Sequence, residues 1–572
     1  MPGLCSLALQ LAVVCGSLSS LLGLTVGSAL HCAVRRQISP CTCKHQEERP
    51  GSIQVTCERM TSFMQVVTAL KDRFEEDVTI SLTISYSQLE DLPLLSFQKL
   101  GLNVYNLKLN FDNLNGLPET VFLGLGRTEY LSLADNRMTT VPHHVLRLMP
   151  ILKTLDMGRC KIETLSSGDF QNLPLLRSLI LPSNALTRMD NNSLPDSLRR
   201  LHLAHNSLTS LNGTLRNLVG LEWLFINEND LSSIDGELPD IIPNNKLGLL
   251  DTSSNRLERL PQELRHYQAL NALYADENQI TALNGALSKS RKLERAHLNN
   301  NNLTTLAPDD FAEAESLEFL ILSCNKLVSL NSSLLPLRSL RLLNLSHNFL
   351  EEFSLQDIRG LRHLAIVDIS HNRISKLGGK MENLVELETR VIDLRLHHNN
   401  LEELSGALMG LTSLQRLNLS HNRLTHISPD DFIGLDNLKI LDISHNMLST
   451  LEETSKTFLP SLEELMATHN QLTALERDFH GLPVLCWADL SYNHIRHISK
   501  ELVEKTQCQL HGVNRTLNIY LNENPVLCDD DMMAIIKLME ERNTTKVYGK
   551  VDCVVEVNNT VPMAMPMMPL AA

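Results

Sequence analysis

The motif L-x-L-x-x-N-x-L returns every 22 to 27 residues along most of this 572-residue chain. A repeat of that period means a solenoid, because one copy cannot bury its own apolar face and gains stability only by stacking on its neighbours. The Asn slot holds Asn136, Asn184, Asn206, Asn229, Asn255, Asn278, Asn301, Asn325, Asn348, Asn372, Asn399, Asn422, Asn446, Asn470 and Asn493. Cys160 fills it in register, as do Asp112 and Ser87 in the first two copies, which makes 18 repeats. A degenerate turn from Leu517 to Val526 closes on Asn524. Both ends of such a stack need caps.

In "LLNLSHNFL" the side chains of Leu343 and Leu345 bracket one residue and point the same way from a short strand, and Leu350 joins them one turn later. These positions form the inner core. Strands of successive coils pair in parallel, and an Asn at the bend can give and accept hydrogen bonds to main-chain groups left unpaired by the turn. Each such group, buried and unpaired, would cost about 1 to 3 kcal/mol. Asp or a thiol fits the slot, whereas Ser87 fits poorly and reads as a worn terminal repeat.

Period and pattern resemble the extracellular leucine-rich repeat family, the group that holds Toll-receptor ectodomains, chondroadherin, chaoptin and secreted insect proteins. The resemblance implies an α/β leucine-rich repeat solenoid of horseshoe form, with a parallel concave sheet and disulfide-bonded terminal caps. Aromatic residues are only 4%, as expected where Leu fills the core. The formal net charge of -15 argues against a nucleic-acid partner and against electrostatic docking on an acidic membrane.

Residues 1–29 resemble a secretory signal: Leu7 to Val26 is apolar and is followed by Gly27, Ser28 and Ala29, although no Lys or Arg precedes it. No later segment is long and apolar enough for a membrane-spanning helix. The expected organisation is a signal peptide over 1–29, an N-terminal cysteine cap over 30–77, repeats over 78–507, a C-terminal cap over 508–557 and a disordered tail over 558–572.

Cys32, Cys41, Cys43 and Cys57 cluster before the first repeat. The resemblance implies bonds from Cys32 to Cys43 and from Cys41 to Cys57; four cysteines alone allow three pairings, and a zinc site is the rival reading. The stretch from Leu521 to Cys553 resembles the family's C-terminal cap, with Asp529 to Asp531 opening a helix whose Ala534, Ile535, Leu538 and Met539 face inward. Cys528 and Cys553 would fasten it. The residue two after Cys528 is Asp530 where the family has a second cysteine, which puts the second cap bond in doubt. Cys486 and Cys508 lie 22 residues apart, nearly one repeat, and so at almost the same azimuth on adjacent coils. A bridge there would staple coil to coil. Cys160 and Cys324 are expected to remain thiols.

Nine N-x-S/T sequons occur, at Asn191, Asn212, Asn302, Asn331, Asn344, Asn418, Asn514, Asn543 and Asn558. Asn344 and Asn418 lie between paired Leu residues, so glycans there would obstruct the sheet face in the C-terminal half and push binding toward the middle. There, outward strand positions carry Arg200 and His202, Trp223 and Phe225, Leu249 and Asp251, Ala272 and Tyr274, Arg295 and His297, and Phe319 and Ile321. Trp, Tyr and Arg are the residues that most often anchor interfaces, and one of only two Trp residues stands here. The residue before the ladder Asn is His in six consecutive repeats, His347, His371, His398, His421, His445 and His469; stacked imidazoles would charge cooperatively below about pH 6.5, but "LSHN" and "ISHN" are common versions of this turn, and that structural reading is the stronger.

No H-E-x-x-H, G-x-S-x-G, Gly-rich phosphate loop or zinc-knuckle pair occurs, and neither an enzyme nor a cofactor is expected. The first reading is a secreted, glycosylated binding protein of adhesion or matrix type that takes an extracellular protein or glycoprotein through its concave face. A soluble innate-immune recognition factor and a non-catalytic scaffold are the alternatives, and self-association stays open.

Overall fold

The computed structural model describes residues 32, 38–46, 49, 51–75, 77–240, 245–378, 390–451, 458–505, 508–510 and 512–549. The expected signal peptide, Cys553, Asn558 and the expected tail lie outside the described residues. The chain divides into two compact units, Met1–Leu340 and Arg341–Ala572.

Unit 1 opens with an antiparallel pair, β1 (Thr42–His45) and β2 (Ser52–Glu58). Every later strand of its main sheet adds in parallel: β3 (Thr79–Ser85), β4 (Asn103–Asn110), β5 (Tyr130–Ser132), β6 (Thr154–Asp156), β7 (Ser178–Ile180), β8 (Arg200–His202), β9 (Trp223–Phe225), β10 (Leu249–Asp251), β11 (Ala272–Tyr274), β12 (Arg295–His297) and β13 (Phe319–Ile321). The middle residue of each short strand points into the core, so Leu201, Leu224, Leu250, Leu273, Ala296 and Leu320 are fully buried while their neighbours on either side, apart from buried Ala272, are exposed or half-buried.

Unit 2 repeats the scheme with β14 (Leu342–Asn344), β15 (Ile366–Asp368), β16 (Asp393–Arg395), β17 (Arg416–Asn418), β18 (Ile440–Asp442), β19 (Glu464–Met466), β20 (Trp487–Asp489), β21 (Leu517–Tyr520) and β22 (Thr545–Tyr548), all parallel.

The Asn ladder satisfies the turns as its chemistry requires. Asn255 Nδ2 donates to the carbonyls of Ile226, Thr252 and Ser253 at 3.0, 3.1 and 3.2 Å, and its Oδ1 accepts the Leu231 N–H at 3.0 Å. In unit 2 Asn422 does the same with Leu396, Leu419, Ser420 and Leu401. One residue earlier the backbone turns left-handed, at φ near +54 for His205 and Glu228 and +53 for Cys324. Ser87 serves the slot better than its type suggests, because its hydroxyl accepts the Met60 N–H at 3.0 Å and donates to the Ser85 carbonyl at 2.9 Å. Cys160 is a buried free thiol with Sγ 3.4 Å from the Leu133 carbonyl, and Cys324 is an exposed free thiol.

Disulfides join Cys32 to Cys43, Cys41 to Cys57 and Cys486 to Cys508, the last across a Cα separation of 4.9 Å. Cys528 is also disulfide-bonded. The C-terminal helix, Asp530–Arg542, is capped by Asp529, whose carboxylate accepts the Met532 N–H at 2.9 Å. Its inner face departs from expectation at one position: Met532, Ile535 and Met539 are buried, Leu538 is partly buried, and Ala534 is exposed. The inward stripe packs against Val503, and Met532 rather than Ala534 continues it one turn toward the N-cap.

Candidate functional site

Parallel one-to-one register turns sequence columns into contacts. In unit 1 Arg200 stands opposite Trp223 and His202 opposite Phe225. The Arg200 guanidinium lies 3.9 Å from the Trp223 ring centroid, and the His202 and Phe225 rings are 5.1 Å apart. Two strands on, Tyr274 faces His297 with ring centroids 4.8 Å apart, and Arg295 lies 5.6 Å from the centroid of Phe319. Ile321 sits opposite His297.

Nine of the outward residues therefore gather as two clusters of rings and cations. Between them runs β10, where Asp251 is the register partner of both Phe225 and Tyr274 and accepts the Ser253 hydroxyl at 2.6 Å. Trp223 keeps 41% of its surface exposed although Arg200 covers its ring, so a large apolar face remains available to a partner. Burial lowers the pKa of both imidazoles: for His202 against the opposing pull of Asp251 and Asp156, and for His297 against that of Asp276 and Asp251. Burial thus favours the neutral ring, which presents one donor and one acceptor.

One residue before the strands lies a set that the outward-position pattern missed. Lys153, Arg177 and Arg199 directly precede β6, β7 and β8, and line a cavity of about 470 Å³ with Thr154, Ser178 and Arg200. Reading the repeat one position further upstream would have found them.

In unit 2 the His column becomes a continuous stack. Rings of His347, His371, His398, His421, His445 and His469 follow one another at 4.0 to 4.2 Å with planes within 15° of parallel, and Tyr492 ends the row at 4.4 Å. All six His residues have φ between +52 and +55, a conformation His tolerates better than most side chains, so the turn itself favours the residue type. Cooperative charging below about pH 6.5 does not follow, because each protonated ring disfavours protonation of the next. Burial, and then repulsion from His347, His398 and His397, push His371 down to about 4, and burial followed by repulsion from His421 lowers His398 and His445.

The sequons differ in what their side chains do. Asn344 and Asn418 lie on the outward sheet positions, each with Oδ1 accepting from the sequon serine, Ser346 at 2.8 Å and Ser420 at 2.7 Å. Among the described residues their Nδ2 atoms make no hydrogen bond. Asn212 and Asn331 instead use Nδ2 to bond the carbonyls of Met189 and Leu306 at 3.1 and 2.9 Å. Asn191, Asn514 and Asn543 are exposed, Asn543 as the left-handed C-cap of the C-terminal helix, and Asn302 is half-buried.

Among known proteins, podocan-like protein 1 of Homo sapiens is 28% identical over 250 residues, covering 39% of this chain and 48% of that protein. Lumican of Coturnix japonica is 31% identical over 182 residues, covering 31% of this chain and 51% of lumican. The chain thus spans about half the length of these relatives. Among solved structures, the Toll–Spatzle complex of Drosophila in its glycosylated form matches 90% of this chain and 74% of its own, at 19% identity and a TM-score of 0.60. YopM of Yersinia enterocolitica matches 79% of this chain and 84% of its own, at 23% identity and a TM-score of 0.52. These two likenesses concern the fold alone. The leucine rich repeat model matches residues 102–162, 131–186, 174–231, 315–374, 389–448, 412–472 and 436–495. Together these segments take in just over half of the sequence, and the chain belongs to the leucine-rich repeat family.

Proposed function

We propose that this protein is a secreted, glycosylated leucine-rich repeat protein of adhesion or matrix type that binds an extracellular protein partner through the outward sheet face of unit 1. The observation that carries this reading is the pairing of Arg200 with the exposed Trp223 ring and of Arg295 with the half-buried Phe319 ring, beside the ring pairs His202–Phe225 and Tyr274–His297. Ring faces held by Arg200 and Arg295 are pre-positioned, and a partner that covers them gains apolar burial without ordering loose side chains. Bonded cysteines fit an oxidising compartment, and the likeness to podocan-like protein 1 and lumican supports a binding role for the repeats. Glycans on Asn344 and Asn418 would cover the corresponding face of unit 2.

Affinity capture from extracellular fluid tests this reading, with the wild type and Trp223→Ala compared side by side. A hot-spot Trp is worth about 2 kcal/mol or more, so the captured partner should bind the variant about thirtyfold more weakly. Equal capture by both proteins would remove the sheet face as the binding surface.

A further inference from the structure

The column of residues directly before the strands of unit 1 holds an unbalanced charge. Lys153, Arg177 and Arg199 occupy it on β6, β7 and β8, with Glu129 closing the row before β5 and Glu222 closing it before β9. The outer cations are engaged: Lys153 Nζ is 3.0 Å from Glu129, and Arg199 is 3.6 Å from Glu222 and donates to the Gly220 carbonyl at 3.3 Å. Arg177, between them, has no ion pair among the described residues. Neither does Arg200 or Lys246, which line the same cavity of about 470 Å³ with the hydroxyls of Thr154 and Ser178. Glu222 is the only carboxylate in that lining.

We propose that this cavity is an anion subsite of the partner interface, taking the carboxylate side chains of a short acidic segment on the partner protein. The proposal rests on the reading of the unit 1 sheet face as the binding surface. The two sites are continuous through Arg200, which lines the cavity and also covers the ring of Trp223. An acidic segment entering the cavity therefore continues onto an apolar ring, a mixture that a protein surface offers. The Arg177 guanidinium presents a planar fork suited to a carboxylate, and the two hydroxyls supply further donors. A long polyanion fits less well: the row of cations spans three strands, about 10 Å, before Glu129 and Glu222 end it, and the chain as a whole carries a net charge of -15.

The probe is a fluorescein-labelled hexaglutamate peptide, titrated by fluorescence anisotropy at low ionic strength, where charge pairing at an open site is least screened. Arg177→Glu should weaken binding by about tenfold or more. Arg188→Glu changes the net charge equally but alters an exposed Arg already paired with Asp190 at 3.2 Å, and should change binding by less than about twofold. Equal weakening by both substitutions, or no binding by the wild type, would overturn the proposal. So would heparin-type oligosaccharides whose affinity climbs with each added disaccharide and collapses in Arg177→Glu, since the cavity would then belong to a sulfated glycan. Failure of this subsite is separable from failure of the interface. If Trp223→Ala loses the captured partner while hexaglutamate ignores Arg177→Glu, the subsite is wrong and the interface stands. The reverse pattern upholds the subsite and removes the interface.

Discussion

Replacing Asp112 with Asn should stabilise the protein at neutral pH and leave it nearly unchanged in acid. Asp112 occupies the ladder slot of an early repeat and is only 3% exposed. Its Oδ1 accepts the Ser87 N–H at 2.9 Å, whereas Oδ2 is buried with no hydrogen-bond partner among the described residues. At the next slot Asn136 places an amide group in this environment, and its Nδ2 donates to the carbonyls of Leu109, Leu133 and Ala134 at 2.7, 2.9 and 3.2 Å. A carboxylate offers no such donor. Burial accordingly raises the Asp112 carboxyl from 3.8 to about 7, with the Ser87 hydrogen bond opposing.

Below pH 3.8 the group is protonated in both folded and unfolded chains. Between 3.8 and about 7 the unfolded chain releases the proton and the folded one keeps it, so stability falls as pH rises through that window and levels off above it. About three pH units at 1.36 kcal/mol each give a loss of about 4 kcal/mol. Asp112→Asn keeps the acceptor for Ser87, supplies the donor and removes the titration. Urea unfolding of both proteins from pH 4 to pH 8, with disulfides oxidised, should show a stability gap that opens from about 1 kcal/mol or less in acid to about 4 kcal/mol at pH 8. Repeat arrays can lose cooperativity, so hydrogen exchange at the Ser87 amide gives the local reading. Other carboxylates titrate alike in the two proteins and cancel. A gap that is constant with pH, or a variant less stable at pH 8, would refute the reasoning.

On β9, Leu224→Ala removes a fully buried side chain and should cost about 2 to 5 kcal/mol, whereas Trp223→Ala truncates an outward side chain that is 41% exposed and leaves no internal cavity, and should cost less; equal losses in thermal unfolding would contradict the separation of core and surface. Cys508→Ser opens a bond spanning 22 residues, worth about 3 kcal/mol on the chain-entropy estimate, and should speed amide exchange in the last coils first; unchanged exchange there would count against the staple. In the imidazole stack, NMR titration should place the His371 midpoint well below 6.5. Because the folded-state value is depressed, the neutral stack contributes stability above pH 6.5 that is lost as pH falls toward 4, and a midpoint at or above 6.5 would contradict the stacked environment. Glycopeptide mapping should find glycans on Asn344 and Asn418; unmodified residues would reopen the unit 2 sheet face to partners.

Much of the fold was legible because the repeat carries its own physics. Leu224 and Leu343 are buried by alternation along a strand, and Asn255 and Asn422 are bonded as a turn amide must be. The Cys486–Cys508 bond followed from a spacing of one coil. The candidate site was legible only in part. Alternation along the strands places Trp223, Phe225, Tyr274 and Phe319 outward, with Asp251 between them, yet the pattern could not show which rings and cations touch from strand to strand. Ala534 was misplaced because helical periodicity names a stripe, while the helix's rotation against Val503 selects Met532 for its inner face.

The sequence by itself determined the coil, the ladder and the parallel register, because each is a local demand that recurs in every copy: an apolar pair to bury, a turn to satisfy, an extended strand between. The tertiary structure decided which side chains meet from coil to coil. Arg200 reaches the Trp223 ring, six imidazoles stack, Arg177 has no ion pair among the described residues while Lys153 and Arg199 find carboxylates, and burial pushes the Asp112 carboxyl up to about 7. Coils of unequal length absorb their differences away from the strands, and only then do register, rotamer and burial fix the distances on which charge pairing and proton affinity depend.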